Sequence, residues 1–288
     1  MSMTERSIDK QWVRASFDRA ASGYEASAIL QKEVGRRMLE RLDYINLQPE
    51  TVLDIGCGTG LGLQALLKRY RKAQVLGMDF AMGMLEMSRT KGGFWHRPLL
   101  ACADFEALPV RSDSIDLLFS NLTLQWCNRL DDVFNGVFRI MRPDGLFLFT
   151  TLGPDTLMEL RQSWAQVDGF PHVNQFADMH EVGDTLVEAG FSDVVMDVER
   201  IVLSYQSPHA VIGELRSIGA VNRDRHRTRG LMGRRHWQSM LEAYEQFRMS
   251  DGSYPATYEV VFGHALRPRT SRSGKNGEIR IPVSGLKR

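Results

Sequence analysis

The sequence predicts an α/β fold: a doubly wound, mostly parallel seven-stranded sheet, with an N-terminal helical lid and a helical cap inserted before the last strand. Three observations carry this. The run TVLDIGCGTGLG at 51–62 passes from a β-branched strand, through glycines at 56, 58, 60 and 62, into a helical stretch at 63–68. Between 74 and 152, near-continuous apolar runs of strand length alternate with helical ones, as in parallel sheets covered on both faces. Beyond Gly153 two further strand-like runs, separated by about fifty residues of mainly helical sequence, suggest an antiparallel pair closing the sheet edge.

Taken in order, residues 4–45 read as helical. Apolar positions fall at Trp12, Val13 and Phe17 and then at Ile29, Leu30, Val34, Met38, Leu39 and Leu42, near the 3.6-residue period, with a break at 21–24. Helices placed before the first core strand can fold over the mouth of a nucleotide site. Tyr24 is therefore a candidate lid residue, with a packed surface tyrosine as the other reading. The glycine turn comes next. Glycines are needed where a ligand lies against bare backbone and where φ is positive, although a tight strand-to-helix connection would use them too. A dinucleotide fingerprint spaces its glycines G-x-G-x-x-G; starting from Gly56 or Gly58, the third position is Leu61 or Leu63. A pyrophosphate cofactor is thus disfavoured, and a ligand without phosphates, such as S-adenosylmethionine, fits better.

Strands follow at 74–80, 97–104, 114–121 and 146–152, with helices at 82–91 and 131–141, the second ended by Arg142-Pro143-Asp144-Gly145. Then come helices at 155–167 and 179–189, a strand at 194–205, mostly helical sequence at 208–247 and a last strand at 258–266. Ligands of such sheets sit beyond the carboxyl ends of the strands, where the strand order reverses. Asp79 ends the second strand, 19 residues past Gly60, where a carboxylate can accept from both ribose hydroxyls. Asp104 and Phe105 end the third, where a carboxylate can accept from an adenine amino group while a ring lies on the base. Asn121 ends the fourth. Asp and Asn also follow strands simply as turn-formers and helix caps; three in register with the glycine turn favour a site.

Length and composition fit a soluble globular chain of 288 residues, 43% hydrophobic and 25% charged, able to build one large domain or a domain plus a cap. We expect a lid over 1–46, a main domain over 47–266 with its cap at about 206–250, and a tail over 267–288. No run has signal-peptide or membrane-helix length, so a cytoplasmic protein is expected. Cys57, Cys102 and Cys127, odd in number and widely spaced, suit neither a disulfide framework nor a zinc site and are read as reduced. The tail carries seven Lys or Arg against Glu278 alone, is rich in Pro, Gly and Ser, and is expected to be disordered. It could solubilise the chain or attract an acidic partner; no nucleic-acid or membrane partner is expected.

The motif DIGCGTG, Asp79, the Asp104-Phe105 pair and the final edge strands resemble the class I S-adenosylmethionine-dependent methyltransferases, whose fold is Rossmann-like. More selective stretches are FDRAASGYE (17–25), SNLTLQWC (120–127), FTTLG (149–153), VDGFPHVNQF (167–176), IGA (218–220) and YPATYEVVFG (254–263). They are similar to the malonyl-acyl carrier protein O-methyltransferases of biotin synthesis, over roughly residues 10–266. That resemblance implies methyl transfer from S-adenosylmethionine, leaving S-adenosylhomocysteine, to the free carboxylate of a malonyl thioester on acyl carrier protein or CoA. It implies cofactor contacts from Asp54, Gly56, Gly58, Gly60, Asp79, Asp104, Phe105 and Asn121, with Cys57, Phe80, Met84 and Leu122 beside them. A carboxylate is already ionised at neutral pH, so positioning, with no catalytic base and no metal, is the expected mechanism. Tyr24, His172, Asn174 and Arg216 are candidates to orient the carboxylate or thioester, and Trp126 to wall the site. For His172 a structural role in its loop stands beside substrate contact; for Arg216 a surface ion pair stands beside a bidentate fork on the carboxylate. The run 223–236, with six arginines beside one aspartate, is either a solvated face or a dock for an acidic carrier, with Arg227, Arg229 and Arg234 as candidates. Two rivals remain: a methyltransferase acting on another small carboxylate or a quinone precursor, and a methyltransferase-like respiratory-complex assembly factor. The second expects an organelle presequence, which Glu5 and Asp9 make poor.

Overall fold

A computed structural model describes residues 8–93, 97–220, 222 and 233–269. Its centre is a seven-stranded sheet of order β3-β2-β1-β4-β5-β7-β6, with β1 Thr51–Ile55, β2 Gln74–Asp79, β3 Leu99–Cys102, β4 Ile115–Ser120, β5 Met141–Leu152, β6 Ser192–Tyr205 and β7 Tyr254–Leu266. β1 to β5 run parallel, and β7 lies antiparallel between β5 and β6. The order reverses between β1 and β4, so the carboxyl ends of these two strands open the crevice that the sequence predicts. Buried side chains fill both faces of the sheet. Val52, Leu63, Leu66, Leu117 and Phe119 belong to one core, with Val34 and Met38 of the N-terminal helices. Leu53, Leu118, Phe134, Phe147 and Phe149 belong to the other.

The helices are α1 Lys10–Ala20, α2 Tyr24–Ser27, α3 Ile29–Arg41, α4 Leu61–Arg69, α5 Met82–Ser88, α6 Leu130–Ile140, α7 Met158–Ala165, α8 Met179–Glu188, α9 Pro208–Ser217 and α10 Arg234–Tyr244. Several begin where the sequence supplies a cap: the Asp9 side chain accepts from Trp12 N, Asp178 from Glu181 N and Ser207 from Ala210 N.

Several boundaries differ from the sequence expectation, three of them with a visible cause. The Arg142-Pro143-Asp144-Gly145 stretch lies inside β5, which starts directly after α6 at Met141 opposite Ile115. A register shift between Ile115 and Leu117 takes up the irregular residues, Asp144 adopts φ +64°, and its N–H donates to Arg267 O at 2.7 Å. The last strand begins at Tyr254 rather than at 258. Residues 254–259 pair with β6 alone among the strands, since β5 stops at the Leu152–Val260 pair; on the other side the segment 153–159 takes over, with Gly153 N donating to Glu259 O at 2.8 Å, Leu157 N to Thr257 O at 2.6 Å and Thr257 N to the Glu159 carboxylate at 3.0 Å. Pro255 is tolerated beyond β5 because its missing N–H is not required in a second ladder. The helix expected from 155 starts at Met158, after Leu157 at φ +56°. Of the tail, residues 270–288 lie outside the described residues; Arg267 bonds Asp113 and Arg269 bonds Asp144, so its first residues are tied down.

Candidate active site

The floor is the turn from β1 into α4. Gly56, Gly58 and Gly60 all have positive φ, +69°, +54° and +85°. Their surroundings divide the work. A Cβ on Gly56 would lie 2.0 Å from Thr123 Oγ1, and one on Gly60 2.8 Å from Lys91 Cγ, so these two glycines admit neighbouring side chains. Around a Cβ on Gly58 there is nothing within 4 Å. This one glycine faces open space, and a side chain there would project into it. The turn is held from below: Gly56 N and Cys57 N donate to Met78 O at 2.7 and 3.0 Å, and Ser88 Oγ donates to Gly58 O at 2.6 Å. Cys57 is buried behind the turn rather than in the cavity wall.

Asp79 joins this floor to the next turn. Its Oδ2 accepts from Gly58 N at 3.0 Å and its Oδ1 from Ala81 N at 2.8 Å. Burial pushes its carboxyl up to about 6, although those two N–H groups favour the anion. Asp54, 2% exposed at the end of β1, is pushed up to about 8 by burial and then by the charge of Asp79. At neutral pH Asp54 is thereby a neutral acid, and the ionised Asp79 beside the open turn is the group that favours a cationic ligand.

Above the floor a cavity of about 740 Å³ extends to the helices between β6 and β7. Its near wall includes Phe80, Met84, Asp104, Phe105 and Leu122. The lid side is aromatic: the Phe17 ring meets Trp126 edge-on at 5.4 Å and lies 6.4 Å from Tyr24 and 6.3 Å from Phe80. Burial, and secondarily the nearby Asp79, pushes the Tyr24 hydroxyl pKa up, so it stays protonated. Lys10 of α1 reaches both oxygens of Asp104 at 2.6 Å and Glu106 at 2.8 Å. Burial lowers the lysine's pKa, and the bonds to Asp104 and Glu106 outweigh that and hold it raised. Asn121 has both ends of its amide engaged, Nδ2 on Gln31 O at 3.0 Å and Oδ1 with Thr150 Oγ1 at 2.8 Å, so it ties α3 to the sheet as well as lining the cavity.

The far chamber gathers His172, Asn174 and Arg216, all three in the cavity wall. His172 lies flat on Trp164, ring centroids 3.8 Å apart and 11° between planes, with Nε2 at 2.8 Å from Asp168 Oδ1. Burial raises the Asp168 carboxyl, but the Phe170 N–H, His172 and His236 together leave it below its usual value. Arg216 extends over the Trp237 ring, 5.6 Å from its centroid, and pairs with no carboxylate among the described residues. Of the docking candidates, Arg227 and Arg229 lie outside the described residues; Arg234 is exposed at the first position of α10 and is not part of the cavity wall, although its neighbours Gly233 and His236 are.

Lys10, Phe17, Ser88, Thr123, Trp164 and Asp168 complete this arrangement, and none was singled out by the sequence as a site residue. Lys10 and Phe17 sit in an amphipathic helix whose pattern reports its packing, not what its far end touches. The ring under His172 lies eight residues upstream of it, with no local signal linking the two.

The site fits S-adenosylmethionine in three respects: an open glycine at the floor, a buried Asp79 carboxylate that favours a cation, and Asp79 and Asp104 at the ends of adjacent strands in one cavity. Among the described residues no group of three or more His, Cys, Asp or Glu could hold a metal ion, and no helix is long and apolar enough to cross a membrane.

Comparison with known proteins agrees with this chemistry. A family model described as a methyltransferase domain matches residues 53–149. The chain is 50% identical to a malonyl-acyl carrier protein O-methyltransferase of Gallionella capsiferriformans, covering 94% of this chain and 96% of that one. It is 53% identical to the enzyme of the same name from Laribacter hongkongensis, over 90% of each. Among solved structures, the YcgJ protein of Bacillus subtilis superposes with a TM-score of 0.57 at 14% identity, over 82% of this chain and all of that one. The Haemonchus contortus phosphoethanolamine N-methyltransferase 2, solved with S-adenosylhomocysteine, gives 0.51 at 17%, over 81% of this chain and 53% of that one. At such identities these two speak to the fold alone.

Proposed function

The chain belongs to the malonyl-acyl carrier protein O-methyltransferases, and we propose that it methylates the free carboxylate of a malonyl group carried as a thioester on acyl carrier protein. The single observation that supports this most is the continuity of one cavity from the open Gly58 floor to an arginine with no carboxylate partner among the described residues. Bound over that floor, S-adenosylmethionine supplies a methyl group made electrophilic by its sulfonium sulfur. Gly58 leaves room for it, Asp79 and Asp104 are placed to accept from ribose and adenine, and Phe80, Met84 and Phe105 give apolar walls.

The acceptor needs no base. By analogy with side-chain carboxyls its pKa is about 4, and it arrives as the anion. Its reactivity is limited by water and by orientation, and the residues present address both. Arg216 offers a planar fork of donors to a carboxylate, steadied against Trp237. Phe17, Tyr24 and Trp126 close the lid side with rings, excluding water from the line of approach. Well-oriented reactions gain roughly 7 to 11 kcal/mol over their bimolecular counterparts, so holding the two reactants can supply most of the acceleration. His172, held by Asp168 and Trp164, shapes the far wall near Asn174. In this reading residues 1–46 are the lid, 47–266 the catalytic unit with its cap at about 206–250, and 267–288 a basic tail.

An acidic carrier protein needs a basic landing face. Arg234 and Arg235 are exposed at the N-terminus of α10, where the helix dipole disfavours positive charge, and neither pairs with a carboxylate among the described residues. That placement favours an external anionic partner.

Incubation with labelled S-adenosylmethionine and a panel of acyl thioesters, with methyl esters followed by mass spectrometry, tests the reading. Label on malonyl thioesters is expected, and label only on another small acid would overturn it. The rate should stay nearly level from pH 6 to pH 9. A tenfold climb per unit would mean that the acceptor must first lose a proton.

A further inference from the structure

We infer that Gln125, with Gln31 beside it, forms the subsite for the α-ammonium group of the methyl donor's methionyl end. This rests on the proposal that S-adenosylmethionine is the methyl donor. Gln125 sits in the short helical turn Leu124–Trp126 after β4, is 4% exposed and lines the cavity. Its Nε2 donates to Leu122 O at 2.7 Å. That carbonyl is fixed in turn, because Leu122 stands at φ +51° with its N–H on Thr150 Oγ1 at 2.9 Å and on Thr150 O at 3.2 Å. Turning the amide over would set oxygen against oxygen, so the other end of Gln125 must be the acceptor. That oxygen, Oε1, is buried and meets no donor among the described residues.

Gln31 on α3 presents a second one. Its Oε1 is likewise buried without a donor among the described residues, and its side chain lines the same cavity. Its backbone carbonyl accepts from Asn121 Nδ2 at 3.0 Å, which holds this turn of α3 against the end of β4. A buried acceptor left unpaired forfeits its hydration with no return, so two in one wall point to a donor brought by a ligand.

The donor's chemistry follows from its surroundings. Two acceptors on separate elements suit a group with several N–H bonds in different directions, and the Asp79 carboxylate in the wall of the same cavity favours positive charge. An ammonium has both properties. A malonyl carboxylate has neither, being an acceptor itself, and a thioester carbonyl offers no hydrogen.

Calorimetric titration of the purified protein with three probes separates the possibilities: S-adenosylhomocysteine, its decarboxylated form, which keeps the amino group, and methylthioadenosine, which lacks the whole amino-acid end. For Gln125→Leu, affinity for the first two is expected to fall about tenfold, while that for methylthioadenosine changes less than twofold. Gln125→Glu should hold both amino-bearing probes at least as tightly as the parent. An unchanged affinity for S-adenosylhomocysteine, or an equal loss on all three probes, would overturn the assignment. If Gln125→Leu does not fold by thermal melting, Gln31→Leu carries the same comparison. Should the parent protein bind none of the probes, it is the methyl-donor reading that fails, an outcome distinct from a subsite that is elsewhere.

Discussion

Asp79 holds the glycine turn as well as lining the cavity, and the structural role can be separated from the proposed ligand contact by substitution. Asp79→Ala is expected to abolish S-adenosylhomocysteine binding and also to cost about 1–3 kcal/mol of stability, because the Gly58 and Ala81 N–H groups lose their acceptor. Asp79→Asn keeps one acceptor and should melt closer to the parent while still binding poorly. Asp54 makes a different prediction. Its pKa is raised from 3.8 to about 8, so between these values the folded protein holds a proton that the unfolded chain has released. Its contribution to stability is full below pH 4 and is lost as pH rises toward 8, by up to about 1.4 kcal/mol per unit. In urea titrations of ligand-free protein from pH 5 to 8, Asp54→Asn should remove this slope; parallel curves for parent and variant would show an ionised Asp54. At Arg216 the discriminating variant is lysine, which keeps the charge but not the fork. KM for malonyl thioester is expected to rise at least tenfold with S-adenosylhomocysteine affinity unchanged, whereas an arginine acting only at the surface would leave both alone.

The lid packs Leu30, Val34 and Met38 into the core, and polar contacts strap its first helices down as well. Ile8 exchanges hydrogen bonds with the Asn128 side chain, Lys10 clasps Asp104 and Glu106, the Asp18 carboxylate accepts from Gly83 N at 2.8 Å, and Glu25 pairs with Lys91 at 2.7 Å. Lys10→Ala should therefore speed amide exchange in α1 several-fold while leaving β1 and β4 unaffected, and moderate salt should mimic it in the parent. At this scale the sequence was informative wherever burial imposed a period. All seven strands and the helices flanking them follow from apolar runs, and the strand-end residues Asp79, Asp104 and Asn121 follow from topology. What the sequence concealed depends on partners far along the chain. Pro143 reads as a terminator until Met141 is seen opposite Ile115, and Pro255 reads as loop until the strand beside it is known to have ended. Gly56 and Gly58 look alike in the sequence and both line the cavity, yet a Cβ on Gly56 would meet Thr123 while one on Gly58 would meet nothing within 4 Å.

For the molecule as a whole, the division of labour runs along the sheet. The parallel half supplies the glycine floor of the cavity, and the antiparallel half carries the helices that line its far chamber. The long-range charge effect belongs at this level. Charge reversal at Arg227, Arg229 and Arg234 should weaken turnover of malonyl-carrier substrate at low salt more than turnover of malonyl-CoA. Equal losses on both would remove the landing-face idea.

Tyr205 and Tyr254 stand opposite each other at the end of the β6–β7 ribbon, so the 48 residues between them leave and return at neighbouring points. The excursion keeps Val211, Met240 and Tyr244 in the same core as Val52 and Leu117, so a replacement must preserve those contacts to leave the donor's floor in place. Arg216, proposed to meet the acceptor, lies on this excursion, whereas the Gly58 turn does not. A chimera spliced at these two tyrosines, carrying the corresponding segment of a relative with another substrate, should keep its grip on S-adenosylhomocysteine while changing what it methylates.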